Sequence, residues 1–290
     1  MKLFSKFSVL LLGAVLLFGF ASCQHETSSV VTYIGTKAPN VAKEVGDIVF
    51  NDGSTMPYAA FTALTDEEKD TKKTSAIALI FYKGTGLNSD DAKGNADNTT
   101  SRTLGVGLKH NRSGLAWCKY RVNAYDKNIT TIQCPASGSS RALTFTGDKN
   151  GSDNLEQIEA FDEVDDTATA TNYPAFYFAK NYKEQTIGSE TVSRIPAGSE
   201  FENGWYLPSI AELFQIYACR ADATNGFDID AASSALGGDN FGTSGYWSSS
   251  QDASKDNSAC RFNFNYGECG SVDKAWDGNN SYVCAIRAFN

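Results

Sequence analysis

The side chains of this chain with the widest chemical range are its cysteines, its two histidines and its acidic runs. Cys118, Cys134, Cys219, Cys260, Cys269 and Cys284 form an even set once Cys23 is set aside. In an exported protein such a set permits up to three disulfides with many alternative connectivities. Buried thiols are the other reading. The pairs Cys118 with Cys134 and Cys260 with Cys269 lack the CxxC spacing that supports zinc. Glu159, Asp162, Glu163, Asp165 and Asp166 offer carboxylates for calcium, but they lack the spacing and glycine of a calcium loop and read as a solvated face. His25 lies in a polar stretch, and His110, between Lys109 and Arg112, reads as a surface histidine. A Ser-His-Asp arrangement would have to use His110, with no G-x-S-x-G elbow to support it. This scarcity of general bases argues against catalysis. Arg261, Tyr266 and Trp276 point elsewhere. Aromatic and arginine side chains give large contact area and adaptable hydrogen bonds, so these residues suit binding.

Local signals predict the elements that would position such residues. Val45 to Phe50 reads as a short strand. Thr65-Asp66-Glu67-Glu68 is a capping box, in which the Thr hydroxyl and the Glu carboxylate satisfy free amides at a helix start. That helix should end before Ser75. Ala76 to Tyr82 is an apolar run of strand length. Lys83 to Arg102 holds almost nothing apolar and reads as a surface loop. Leu104 to Leu108 and Leu115 to Tyr120 predict two more strands. Asp153 to Phe161 predicts a helix capped by Ser152 or Asp153. Pro174 to Lys183 fits a helix with proline in its first turn, where the missing N–H costs nothing. Ser209 to Arg220 is the clearest helix. Ser209 and Glu212 form a second capping box, and Ile210, Leu213, Phe214 and Tyr217 make one apolar face. Asp230 to Leu236 predicts a short helix closed by Gly237 and Gly238. Strands follow over Tyr246 to Ser249, Cys260 to Tyr266, Glu268 to Asp273 and Tyr282 to Phe289, with a turn at Gly267. Along Cys260 to Tyr266 side chains alternate, so Phe262, Phe264 and Tyr266 share one face and Arg261, Asn263 and Asn265 the other.

The first 22 residues read as an export signal. Lys2 and Lys6 give a positive start, Val9 to Phe20 is almost wholly apolar, and Ala21-Ser22 places small residues before Cys23. The apolar stretch is too short for a spanning helix, which needs about 20 residues. The Ala-Ser-Cys ending resembles the lipobox of bacterial lipoproteins, with Phe20 where Leu is commoner. That resemblance implies a lipid on Cys23 and membrane contact through the anchor alone. Gln24 to Glu44 reads as a polar tether, and residues 45–290 as one large domain. Without Lys2 and Lys6 the balance is 23 basic against 34 acidic residues, a net −11. Such a surface repels phosphate backbones and argues against nucleic acid. The 25 glycines and 12% aromatic residues predict a loop-rich fold.

Four motifs in order, GWYLPSIAEL from Gly204, GYWSSS from Gly245, FNFNYG from Phe262 and YVCAIRAF from Tyr282, resemble a lectin-like domain of bacterial lipoproteins. That domain belongs to the formylglycine-generating-enzyme branch of the C-type lectin fold, so an α+β class with short helices and a small sheet is implied. With the lipobox, the chain is similar to the Treponema variable protein family, surface lipoproteins diversified by a retroelement. In that family a template copy of the gene's 3′ end is reverse-transcribed with errors at adenines, and AAY codons are preferred targets. The resemblance implies a variable ligand-binding set. Asp252, Ser254, Asp256, Ser258, Cys260, Arg261, Tyr266, Gly270, Ser271, Asp273, Ala275, Asp277, Gly278 and Ser281 are reachable from AAY. Asn263, Asn265, Asn279 and Asn280 would be unmutated ones. Trp276 joins the set as an aromatic contact, although Trp276, Lys255, Lys274 and Glu268 are not reachable by that route. The partner implied is a protein or other macromolecule on a host or neighbouring cell, or a carbohydrate stacked on Trp and Tyr. A monomer on the outer membrane, facing the cell surface or the periplasm, is expected. Trp276-Asp277-Gly278 resembles part of a calcium lectin site, but the paired acidic-Pro-Asn motif is missing, so no metal or other cofactor is expected. Two alternatives remain: a formylglycine-generating-like oxidase, for which Cys260 and Cys269 are the candidate pair, and a structural envelope lipoprotein.

Overall fold

β-Branched and aromatic runs separated by polar, glycine-rich turns build this chain from short elements. The computed structural model describes residues 31–88, 99–129, 133–134, 148–162, 171–187, 190–191, 194–220, 227–278 and 281–290. In chain order these are β1 (Asp47–Phe50), β2 (Thr55–Pro57), α1 (Tyr58–Thr62), α2 (Asp66–Lys73), β3 (Ala76–Gly84), β4 (Arg102–Gly107), β5 (Gln133–Cys134), α3 (Gly151–Asp162) and α4 (Pro174–Lys180). There follow β6 (Thr186–Ile187), β7 (Glu190–Thr191), β8 (Trp205–Tyr206), α5 (Ile210–Ala218), α6 (Ile229–Ala235), β9 (Gly245–Asp252), β10 (Ser258–Asn263), β11 (Glu268–Asp273) and β12 (Ile286–Ala288). The class is α+β.

Six strands form a sheet in the order β2-β1-β3-β4-β12-β8, every pair antiparallel. Successive strand residues point to opposite faces, and both faces here are covered. Ile48, Phe50, Leu79, Phe81 and Val106 join one apolar cluster with α5 and α6. Val49, Ala78, Ile80, Trp205 and Phe289 join a second with α4. This two-sided burial explains why β3 reads as a continuous apolar run. A second sheet, β11-β10-β9-β5, carries the C-terminal hairpin, and β6 with β7 forms a small ladder.

Both capping boxes form as the sequence predicts. Thr65 and Glu68 cap α2 reciprocally, and Ser209 and Glu212 cap α5. Glu212 does more than cap. Fully buried, it accepts from the amides of Ser209 (2.7 Å) and Gly151 (3.0 Å) and from the Tyr206 hydroxyl (3.0 Å). Arg102 lies 3.3 Å away and also donates to Leu87 O (2.9 Å), Asn150 Oδ1 (2.8 Å) and the Tyr206 hydroxyl (2.7 Å). This buried ion pair joins β4, β8, α5 and the start of α3. The α3 amide of Ser152 is met by Asn150 Oδ1, so the cap lies two residues before the earlier of the two expected caps.

Several expectations are corrected. Leu115 to Tyr120 is irregular, not a strand, because its amides find partners far along the chain. Leu115 N donates to Ser281 O and Cys118 N to Lys274 O, while Ala116 O accepts from Ala175 N. The segment before Val45 is not a free tether throughout. Gly35 N donates to Ser54 Oγ, Thr36 and Lys37 N donate to Thr55 O, and Lys37 Nζ pairs with Asp47 at 2.7 Å. The compact unit accordingly starts at Tyr33. The final strand is shorter than Tyr282 to Phe289, and the helix from Pro174 stops at Lys180, with a 3₁₀ turn over Tyr182–Glu184. The export signal, Cys23, Asn279, Asn280 and the acidic residues from Glu163 to Asp166 lie outside the described residues. Among the described residues no helix is long and apolar enough to cross a membrane.

Candidate ligand-binding face

The hairpin of β10 and β11 is the frame of the candidate site. Its register pairs Ser258 with Asp273, Cys260 with Ser271, Arg261 with Gly270, Phe262 with Cys269 and Asn263 with Glu268. Phe262 is buried against α5, its ring 5.5 Å from Tyr217 and 6.4 Å from Phe214. Phe264 stacks on Phe241 at 4.5 Å. On the opposite face Ala259 and Val272 join the cluster containing Trp247. Both faces of β10 are thus largely closed, and solvent reaches the hairpin along its edge strand β11, at its turn and at its open end.

The proposed site residues divide accordingly. Ser254, Asp256, Asn265, Tyr266, Gly270, Ser271, Trp276 and Asp277 are exposed, and Arg261, Asn263, Asp273, Ala275 and Gly278 are half-buried. Asp252, Ser258, Cys260 and Ser281 are buried, which corrects their assignment as ligand-facing. Cys260 Sγ points at Gln251 O, 3.6 Å away. Asp252 accepts from the amide and hydroxyl of Ser254, each at 2.7 Å. Burial opposes its charge, yet hydrogen bonds from Ser271 and Ser254 hold its carboxyl below the ordinary range. Asp273 is occupied with structure: Tyr125 donates to its Oδ2 (2.9 Å) and the Ala275 amide to its Oδ1 (2.9 Å). Arg261 lies across β9, where Gly245 leaves the room. A Cβ at Gly245 would sit 2.7 Å from Arg261 Nε.

Tyr266 does not share the face of Phe262 and Phe264. The strand ends at Asn263, Gly267 adopts φ +65° and its amide closes the turn on Asn263 O. Tyr266 is thereby swung out and is 66% exposed. Trp276, 53% exposed, lies beyond the other end of β11, whose six residues put roughly 20 Å between the two aromatics. They are not one cluster.

Just before Trp276, at Lys274, three segments meet: the β9–β10 loop with Asp256, the chain after β11, and residues 124–127. Lys119 approaches Asp277 at 3.8 Å. Tyr120, 61% exposed, stacks edge-on with Tyr125 at 5.0 Å, and the Arg121 guanidinium lies 5.0 Å over its ring. Arg121 has φ +68°, a left-handed conformation uncommon without glycine. Lys119, Tyr120 and Arg121 were not expected at this face. An aromatic next to a cation was the only signal, and nothing local placed Lys119 beside Asp277.

His110 is another correction. It is buried, not on the surface. Its Nδ1 is 2.9 Å from the Tyr246 hydroxyl, and its ring packs 4.6 Å from Phe241. Burial, reinforced by the charges of Arg112 and Lys109 against that of Asp239, pushes its pKa down to about 4, so it is neutral at pH 7. Cys260 and Cys269 sit on adjacent strands but not opposite one another, since Cys260 faces Ser271 and Cys269 faces Phe262. Among the described residues no three His, Cys, Asp or Glu side chains gather to hold a metal.

No family model matches the chain, and no curated protein matches it. Among solved structures, it is similar to a fimbrial protein from Bacteroides ovatus, with a TM-score of 0.45 and 14% identity. That likeness covers 84% of this chain and 48% of the other, so the chain spans about half the length of the protein it matches.

Proposed function

We propose that the chain is a ligand-binding display protein with a C-type lectin-like fold of the formylglycine-generating-enzyme branch. It is anchored by lipid at Cys23 to the outer membrane, and presents diversified residues to a macromolecular partner, in the manner of the Treponema variable protein family. One observation carries the reading. The hairpin's interior residues Phe262, Phe264 and Ala259 are sealed, while Asp256, Asn265, Tyr266 and Asp277 open to solvent. Side chains held this way can be exchanged without unpacking the frame that carries them. Lys274 adds support. It was set aside as unreachable from an AAY codon, and it is fully buried. The oxidase reading gains nothing from Cys260, buried and facing Ser271, since an attacking thiol needs access and an activating neighbour.

The experiment is sequencing of the DNA flanking the gene. A near-copy of the 3′ end, differing at template adenines beside a reverse-transcriptase gene, is expected. Its absence, with the 3′ coding sequence invariant between isolates, would overturn the diversification reading.

A further inference from the structure

The open end of the hairpin contains a buried positive charge. Lys274 follows β11 directly and has no solvent exposure. Four backbone carbonyls share the three N–H donors of its ammonium: Ala124 O (2.6 Å), Asp256 O (2.6 Å), Lys127 O (2.9 Å) and Tyr125 O (3.2 Å). The Trp117 ring lies beneath it, with Nζ 5.1 Å from the centroid. A buried ammonium is costly unless its donors are met, and here the oxygens of two loops meet it, loops also joined by the Asp273 carboxylate that accepts from Tyr125 and Asn257. The backbone continues the join, because Cys118 N donates to Lys274 O and Lys274 N to Asn257 O.

We propose that Lys274 is the internal cation that fixes the open end of the hairpin, holding residues 124–127 and the β9–β10 loop in one arrangement through backbone oxygens. The choice of acceptor has a consequence. A carbonyl is present whatever side chain its residue carries. Asp256 is exposed and points its side chain outward, so its identity can change while its carbonyl stays on the ammonium. Lys274 is therefore a positioning residue, setting the geometry of Ser254, Asp256, Trp276 and Asp277 without touching a ligand. The cage stands independently of what the face binds. Burial lowers the Lys274 pKa to about 8, still compatible with a charged ammonium at neutral pH.

The test uses the full chain and amide hydrogen exchange. Lys274→Met keeps the apolar stem and removes the charge. It should speed exchange of the amides at 125–128 and 256–258 by tenfold or more, while β3 and β4 keep wild-type rates. Asp256→Asn and Asp256→Ser should leave all these rates unchanged. Lys274→Ala should recover slow exchange in propylammonium chloride and not in propanol. Unchanged loop exchange in Lys274→Met, acceleration in Asp256→Asn, or equal rescue by propanol would each overturn the proposal. Should the Lys274 variants fail to fold, the wild-type chain decides by ¹⁵N-lysine NMR. A caged ammonium gives a slowly exchanging Lys274 NH₃⁺ signal at pH 7, and its loss to solvent exchange, as for an exposed lysine, would contradict the cage.

Discussion

Removing Glu212 should unfold this protein far more readily than its place in one helix cap suggests. A lost cap costs about 1 kcal/mol. Glu212, however, also neutralises Arg102, which is itself buried at 3.3 Å. Glu212→Ala leaves that guanidinium in the interior with only neutral acceptors: Leu87 O, Asn150, Ser152 and Tyr206. Breaking a buried ion pair on one side costs about 3–5 kcal/mol, a large share of the roughly 5–15 kcal/mol that holds a typical domain together. Urea unfolding followed by tryptophan fluorescence reads it, since Trp117, Trp205 and Trp247 are all buried. At a slope of about 3 kcal/mol per molar, the midpoint should fall by about 1–2 M. Removing the charge on both sides, in Arg102→Met with Glu212→Leu, should recover part of the loss. The double variant should be better than the sum of the two singles by about 1–3 kcal/mol. The reasoning fails if Glu212→Ala costs under about 1 kcal/mol, or if the two substitutions add.

Phe262→Ala should cost about 3–5 kcal/mol, because the ring is fully buried between Tyr217, Phe214 and Phe264 and a large cavity replaces it; the same urea assay measures it. His110 should make the fold acid-sensitive. Its folded pKa of about 4 lies below the unfolded value of 6.5, so the unfolded chain binds the proton first. Its contribution is complete above pH 6.5 and is lost as pH falls toward 4, by about 3 kcal/mol in total. Asp148, whose carboxyl burial raises to about 7, opposes this trend, because its protonated form favours the folded state. The comparison is therefore wild type against His110→Gln: the stability difference between them should shrink by that amount from pH 6.5 to 4, and a constant difference would refute the assignment.

The sequence announced what is decided locally. Thr65 with Glu68 and Ser209 with Glu212 need only three residues to form their boxes, and Gly267 needs only its own left-handed turn. The apolar run at β3 is legible because both of its faces are covered. What was illegible depends on distant partners. Leu115 to Tyr120 has strand composition, but its amides are claimed by Ser281 and Lys274, so no ladder forms. Asp252, Ser258 and Ser281 look like surface residues by type, and only the sheet shows them turned inward. Lys274 looks like any exposed lysine until four carbonyls from other parts of the chain surround it. Within the candidate face the hairpin and its exposed turn were readable. The contribution of Lys119, Tyr120 and Arg121 was not, because contacts such as Lys119 with Asp277 span a large stretch of sequence.

The central claim is that the outward side chains can be exchanged while the frame stays folded. A displayed library randomised together at Asp256, Asn265, Tyr266 and Asp277 tests it, with the protease-resistant fraction as the readout. Surface substitutions of this kind each change stability by about 0.5 kcal/mol or less, so most members should resist protease as the parent does, while a control library randomised at Phe262, Phe264 and Lys274 should be largely cleaved. Equal cleavage of the two libraries would contradict the account.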